Sequence, residues 1–217
     1  MEALRRNGPA GIAGKVAVRA RRQLILRESH IWYVLDQNTN RPRRELPEGF
    51  ELRRGDAPLD VDALDAFDGQ PGAREIERRL DEGAELHLVV ESATGERAFA
   101  CWIFLDKTPV AAARGGELGL PGDTACLEDS ATSPEFRGRG LAPAAWTAIA
   151  DDLEQRGFAR MITKVEESNT PSRKAVIKAG FSDGAVMRLR HTALATHVAV
   201  TPVQATGIQF LIDSLTR

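Results

Sequence analysis

From Pro134 to Ala142 the chain reads Pro-Glu-Phe-Arg-Gly-Arg-Gly-Leu-Ala, and apolar residues then recur at helical spacing through Leu141, Ala145, Ile149 and Leu153. Gly138 and Gly140 leave the backbone bare where that helix begins. The first turn of a helix holds N–H groups without partners and carries roughly half a positive charge. Bare backbone of this kind suits a phosphate or pyrophosphate. Arg137 and Arg139 can add charge-assisted contacts to the same anion. Pro143 fits a first helical turn, where its missing N–H has no intrahelical partner to lose. The stretch lacks the Gly-Lys-Ser/Thr of a Walker loop and the third glycine of a dinucleotide fingerprint.

The elements around this loop must position it. A strand over Ala125–Thr132 leads into it, and a second strand over Met161–Val165 follows the helix. Asn169-Thr170-Pro171-Ser172 then opens a short helix that ends at Ala179-Gly180-Phe181. Upstream, His30–Leu35 and Phe50–Arg53 read as strands, and Lys15–Arg27, Leu59–Phe67 and Gly72–Glu82 as helices. Leu86–Val90 and Ala98–Leu105 form a hairpin around Ala93-Thr94-Gly95. The second of these strands is apolar on both faces, which points to the sheet centre. Ala185–Arg190 and Leu194–Val200 supply late strands, and Val203–Leu215 a short closing helix.

In this setting the chain resembles the GNAT superfamily of acyl-CoA N-acyltransferases. Pro134 to Ala142 is similar to that family's pyrophosphate loop, Gln/Arg-x-x-Gly-x-Gly/Ala, with Glu135 where the pattern prefers Gln or Arg. Asn169, Ser172, Gly180 and Phe181 are similar to its second motif, Asn-x-x-Ala/Ser ending in Gly-Phe. The resemblance implies an α/β fold of α+β type: a mixed, mainly antiparallel central sheet with helices on both faces. It divides the chain into a basic extension at 1–45, a GNAT-like domain at 46–200 and a tail or short helix at 201–217. It also implies acetyl-CoA as cosubstrate, bound by Arg137, Gly138, Arg139, Gly140, Leu141, Ala142, Asn169 and Ser172. Backbone groups of Ala131, Thr132 and Ser133 are expected to meet the pantetheine arm, one N–H polarising the thioester carbonyl.

Acyl transfer from CoA to an amine raises two proton problems of unequal size. A lysine-like amine with pKa near 10.4 loses its proton at a cost of about 4.6 kcal/mol at pH 7, whereas a thiolate of pKa near 8.5 needs about 2 kcal/mol of help. A base therefore matters more than an acid. Glu128 is the candidate base: counting back from Thr132, strand alternation puts Ser130, Glu128 and Cys126 on one face and Asp129 on the other. The alternative is that Glu128 and Asp129 only solvate a strand end. Glu166 and Glu167 are further acidic candidates near the cleft. The tyrosine acid of many GNAT enzymes corresponds to Val176, and the chain's single tyrosine, Tyr33, lies far away in sequence. Ser172 is the candidate replacement, or else a helix cap or CoA contact. Trp102 and Trp146 read as packing residues.

The acceptor implied is a small-molecule or peptide amine that attacks the thioester directly rather than through a covalent Cys126 intermediate. Two other readings stay open: a GNAT fold that binds CoA without turnover, and transfer of a longer acyl group. The 217 residues carry 29 Lys and Arg against 31 Asp and Glu, a net charge of −2 that makes no case for nucleic acid. The basic residues of 1–45 read as a solvated helix packed on the domain, with contact to an anionic partner or membrane surface as the alternative. No apolar run reaches the roughly 18 residues of a membrane span. Cys101 and Cys126 sit in apolar strands and read as reduced thiols, in keeping with the cytoplasm. His30, His87, His191 and His197 show no ligand spacing, so no metal is expected. An oligomer is compatible with the sequence.

Overall fold

The structure, a computed structural model, describes residues 25–55, 64, 67, 70–192, 196–203 and 208–216. In chain order these form β1 (Ile25–Asp36), β2 (Phe50–Arg54), α1 (Ala73–Asp81), β3 (Glu85–Glu91), β4 (Arg97–Phe104), β5 (Lys107–Pro109) and β6 (Glu117–Gly119). There follow β7 (Thr124–Thr132), α2 (Leu141–Gln155), β8 (Arg160–Glu166), α3 (Thr170–Lys178), β9 (Ser182–Thr192), β10 (Thr196–Pro202) and α4 (Gln209–Leu215).

Eight strands make one sheet in the order β10-β9-β1-β8-β7-β4-β3-β2. Every neighbouring pair is antiparallel except β7 and β8, which run parallel. Both faces are covered. On one, Tyr33, Phe99, Leu127 and Met161 pack beneath α2 and α3 through Ala145, Trp146, Ile149 and Val176. On the other, Trp32, Leu88, Trp102 and Ile162 meet Ile76 of α1 and Leu211 of α4. The expected mixed sheet with helices on both faces is what forms.

β1 shows why a sequence position says little about a place in a sheet. Its run Ile31-Trp32-Tyr33-Val34-Leu35 is buried on both faces, as a central strand requires. It lies between β8 and β9, pairing Trp32 with Lys164 on one side and with Ala185 on the other. Residues 25–36 of the basic extension drawn at 1–45 thus share one sheet with the residues that follow it. Ile25 to Arg27, expected to end a helix, instead begin this strand, while 15–24 lie outside the described residues.

Of the helix expected over Leu59–Phe67 only Leu64 and Phe67 are described, and both are buried. The closing helix occupies Gln209–Leu215, shorter than expected, and 204–207 lie outside the described residues. The β5–β6 pair was not anticipated, because three-residue strands are too short to show a period. Gly180 ends α3 with φ of 97°, a conformation that favours glycine, and a Cβ there would come within 2.8 Å of Pro42 Cδ.

Candidate active site

The parallel ladder between β7 and β8 lasts only from Thr124 paired with Arg160 to Leu127 paired with Thr163. Beyond these residues the strands diverge and open a cavity of about 760 Å³. The cavity runs from Glu128 and Lys164 at the parting of the strands to Gly138, Gly140 and Leu141 at the start of α2, with Asn169 and Ser172 of α3 on its wall.

The loop is built as its residues suggest. Gly138 and Gly140 have φ of 80° and 79°, and a Cβ at either would meet nothing within 4 Å. Glycine is therefore required by backbone conformation, and the space beside it is open to a ligand. Arg137 lines the cavity and donates from Nε to Thr132 O at 3.2 Å. Arg139 is not among the cavity-lining residues. Its guanidinium stacks 4.9 Å from the Phe136 ring centroid and 5.9 Å from that of Phe50. Three cations from other elements, Arg44, Lys174 and Lys178, join the lining. This bare helix start among cations fits the diphosphate of acetyl-CoA.

β7 leaves regular pairing where it enters the cavity. Glu128 pairs with Trp102 and Ala131 with Ala100, so β7 carries one residue more than β4 between these pairs. This is a bulge. Asp129 absorbs it with φ of 46°, the one positive φ outside glycine among the described residues. The bulge shifts the strand's alternation, which corrects two expectations. Ser130 does not share the face of Glu128 and Cys126: its hydroxyl accepts from Trp146 Nε1 at 3.2 Å, beneath α2. Asp129 does not point away from Glu128's face, for its carboxylate meets Arg79 Nη1 of α1 at 2.7 Å. Gln70 Nε2 donates to Asp129 O at 2.5 Å, and Gln70 Oε1 accepts from Trp102 Nε1 at 3.1 Å. Ala131 and Thr132 line the cavity; Ser133 is not among the lining residues, and its N–H donates to Ala98 O at 3.0 Å.

Glu128 is 9 % exposed and receives Lys164 Nζ on Oε1 at 2.5 Å and Cys126 Sγ on the same oxygen at 3.4 Å. Burial pushes its pKa above the ordinary carboxylate value, and the Lys164 charge pulls it only part of the way back. For Lys164, burial works against the ammonium, but the Glu128 carboxylate outweighs it and leaves the pKa raised. Burial, reinforced by Glu128, holds the Cys126 thiol well above its usual range. Cys126 therefore offers no thiolate near neutral pH.

On α3, Asn169 caps the helix by accepting the Ser172 N–H at 3.2 Å on Oδ1, and it also faces the cavity. Val176 lines the cavity with no group to give a proton. Tyr33 does reach this motif, from β1: its Oη accepts from Arg173 Nε at 3.2 Å. It is 1 % exposed and is not among the lining residues. Glu166 lines the cavity, whereas Glu167 is tied to Ser29 Oγ at 2.7 Å. Sequence reasoning gave no role to Lys164. Its signal was the single charged residue between Arg160 and Glu166, the ends of its strand, a charge that must find a partner when buried.

A sequence profile described as the Acetyltransferase (GNAT) family matches residues 63–181, more than half of the chain. The chain belongs to this family. Comparison with curated proteins gives no match. Among solved structures, this GNAT protein is similar in fold to a GCN5-related N-acetyltransferase from Sphaerobacter thermophilus, with TM-score 0.58 and 18% identity, covering 81% of this chain and 55% of that one. A GNAT-family acetyltransferase described as putative, from Novosphingobium aromaticivorans, gives 0.53 and 17%, covering 82% and 66%. The ribosomal-protein-S18-alanine N-acetyltransferase of Escherichia coli gives 0.50 and 17%, covering 73% and 96%. The chain thus spans little more than half the length of the first of these structures. Among the described residues no group of His, Cys, Asp and Glu is arranged to hold a metal, and no helix is long and apolar enough to cross a membrane.

Proposed function

We propose that this GNAT protein is an acetyl-CoA-dependent N-acetyltransferase, in which a primary amine attacks the thioester directly. One observation carries the reading: a single cavity joins an anion cradle at Gly138–Leu141 to a buried carboxylate, Glu128. The diphosphate lies on the N–H groups that open α2, with Arg137 beside it, and the pantetheine arm follows Ala131 and Thr132 into the splay. Glu128 takes the proton of the incoming ammonium, directly or through water. The C–N bond forms, the C–S bond breaks, and the nitrogen's second proton passes to the departing sulfur through the Ser172 hydroxyl or through water, releasing CoA as the thiol. The acceptor is a small molecule or a peptide, and the two buried free thiols suit a reducing compartment such as the cytoplasm.

Acetyl-CoA at millimolar concentration should raise the melting temperature, since a ligand held only by the folded state stabilises it. A thiol-release assay over an amine panel then reads turnover. No melting shift overturns the CoA site. A shift without thiol release from any amine supports a second reading, a CoA-binding protein without turnover, which Val176 in place of a proton donor favours.

A further inference from the structure

Glu128 and Lys164 are each the first residue beyond the last paired position of the β7–β8 ladder. Where backbone hydrogen bonding between the two strands ends, their side chains meet across the gap at 2.5 Å. We propose that Lys164 is a positioning residue of the transfer site, fixing which oxygen of the Glu128 carboxylate faces the acceptor amine. This rests on the transferase reading above.

A lysine ammonium has three N–H donors. One goes to Glu128 Oε1 and one to Pro109 O at 3.1 Å, while the cation sits 5.6 Å from the centroid of the Trp32 ring. Lys164 is thus held from three elements, β5, β1 and β7, and its side chain is 15% exposed. It delivers its proton-rich head to one oxygen only. Cys126 Sγ occupies that same Oε1, and Oε2 has no partner among the described residues. Glu128 and Lys164 both line the cavity. The oxygen left over is the one available to an ammonium proton.

The electrostatic surroundings are narrow enough to give this arrangement a signature. Asp129, the other carboxylate on this face, is neutralised by Arg79 of α1. The Cys126 thiol, its pKa held up by burial and by Glu128, stays protonated. His30 of β1 has its pKa lowered by burial and by Lys164, against the pull of Glu28 and Glu166. Lys164 is therefore the cation in contact with Glu128. Its charge favours the carboxylate form, so removing it makes Glu128 hold its proton to higher pH.

The experiment is a pH profile of kcat/KM with an amine acceptor from the panel, for wild type, Lys164→Met, Lys164→Arg and Glu128→Gln. Lys164→Met should move the acid limb upward by about one pH unit and lower kcat about tenfold. KM for acetyl-CoA should stay within about twofold, and Lys164→Arg should return the limb toward its original position. Because Lys164→Met leaves a buried carboxylate unpaired and can unfold the protein, the double variant Glu128→Gln/Lys164→Met is the companion. It carries no buried charge and should be no slower than Glu128→Gln alone. An active wild type whose acid limb stays in place in Lys164→Met overturns the proposal, as does a double variant clearly slower than Glu128→Gln. A wild type that binds acetyl-CoA but acetylates no amine overturns the transferase reading, and this proposal with it.

Discussion

Arg79 is the residue on which the bulge in β7 most depends, and its replacement by methionine has a calculable cost. Its side chain is 7% exposed, and its guanidinium meets Asp129 at 2.7 Å and Glu75 at 3.0 Å. It also lies 5.2 Å from the Trp102 ring centroid and 5.4 Å from that of Phe104. Breaking a fully buried ion pair by removing one partner costs about 3–5 kcal/mol. Asp129 is 35% exposed, so water screens part of this and about 2 kcal/mol remains. The stacking over Trp102 and Phe104 adds about 1 kcal/mol, whereas methionine preserves the packing of the stem. Arg79→Met should therefore lose about 3 kcal/mol of stability in urea unfolding at pH 7. Asp129→Asn is the matching partner, because asparagine tolerates the left-handed conformation and only the charge is lost. A double-mutant cycle should return a coupling of about 2 kcal/mol. If the two losses add to within about 0.5 kcal/mol, the pair does not hold the bulge and the reasoning fails.

Two further outcomes follow from contacts elsewhere. The Glu85 side chain is 14% exposed, and although burial opposes its charge, bonds from His87 and Arg156 and the charge of Arg54 depress its pKa to about 2. A carboxylate depressed in the folded state stabilises the protein above its unfolded pKa, so this contribution should vanish as pH falls from about 4.5 to about 2. Glu85→Gln should flatten that part of a melting-temperature profile, and an unchanged slope would count against the assignment. Tyr33→Phe removes the acceptor from Arg173 and should cost about 1–2 kcal/mol in stability. The alkaline limb of its kcat/KM profile should not move, and a shift there would make Tyr33 the missing acid.

The parts of the site that depend on local sequence were legible in advance. Gly138 and Gly140 announced their loop, Asn169 and Gly180 the two ends of α3, and Glu128 its strand. What was hidden depends on partners distant in the chain. The phase of Ser130 and Asp129 could not be counted from Thr132, since a bulge is a relation between two strands and leaves no period in one of them. Lys164 acquires meaning only when β8 lies beside β7. Arg79 reads as one more charge on a helix face until Asp129 comes to meet it. Tyr33 was known to be the only tyrosine, but its nearness to α3 follows from β1 entering the middle of the sheet.

That central place for β1 sets a timetable for synthesis. Ser29 bonds a residue 138 positions later, and Tyr33 one 140 positions later. At roughly 5–20 residues per second the ribosome takes about 7–30 seconds to make the partners of β1 after β1 itself. During that interval Ile31-Trp32-Tyr33-Val34-Leu35 has neither neighbouring strand available, although it is one of the most apolar stretches in the chain. A nascent chain in this state is an aggregation hazard and a natural client for holding chaperones. Insertion of β1 between β8 and β9 is then a late event, and the β7–β8 splay acquires its full support only when the first described strand finds its place.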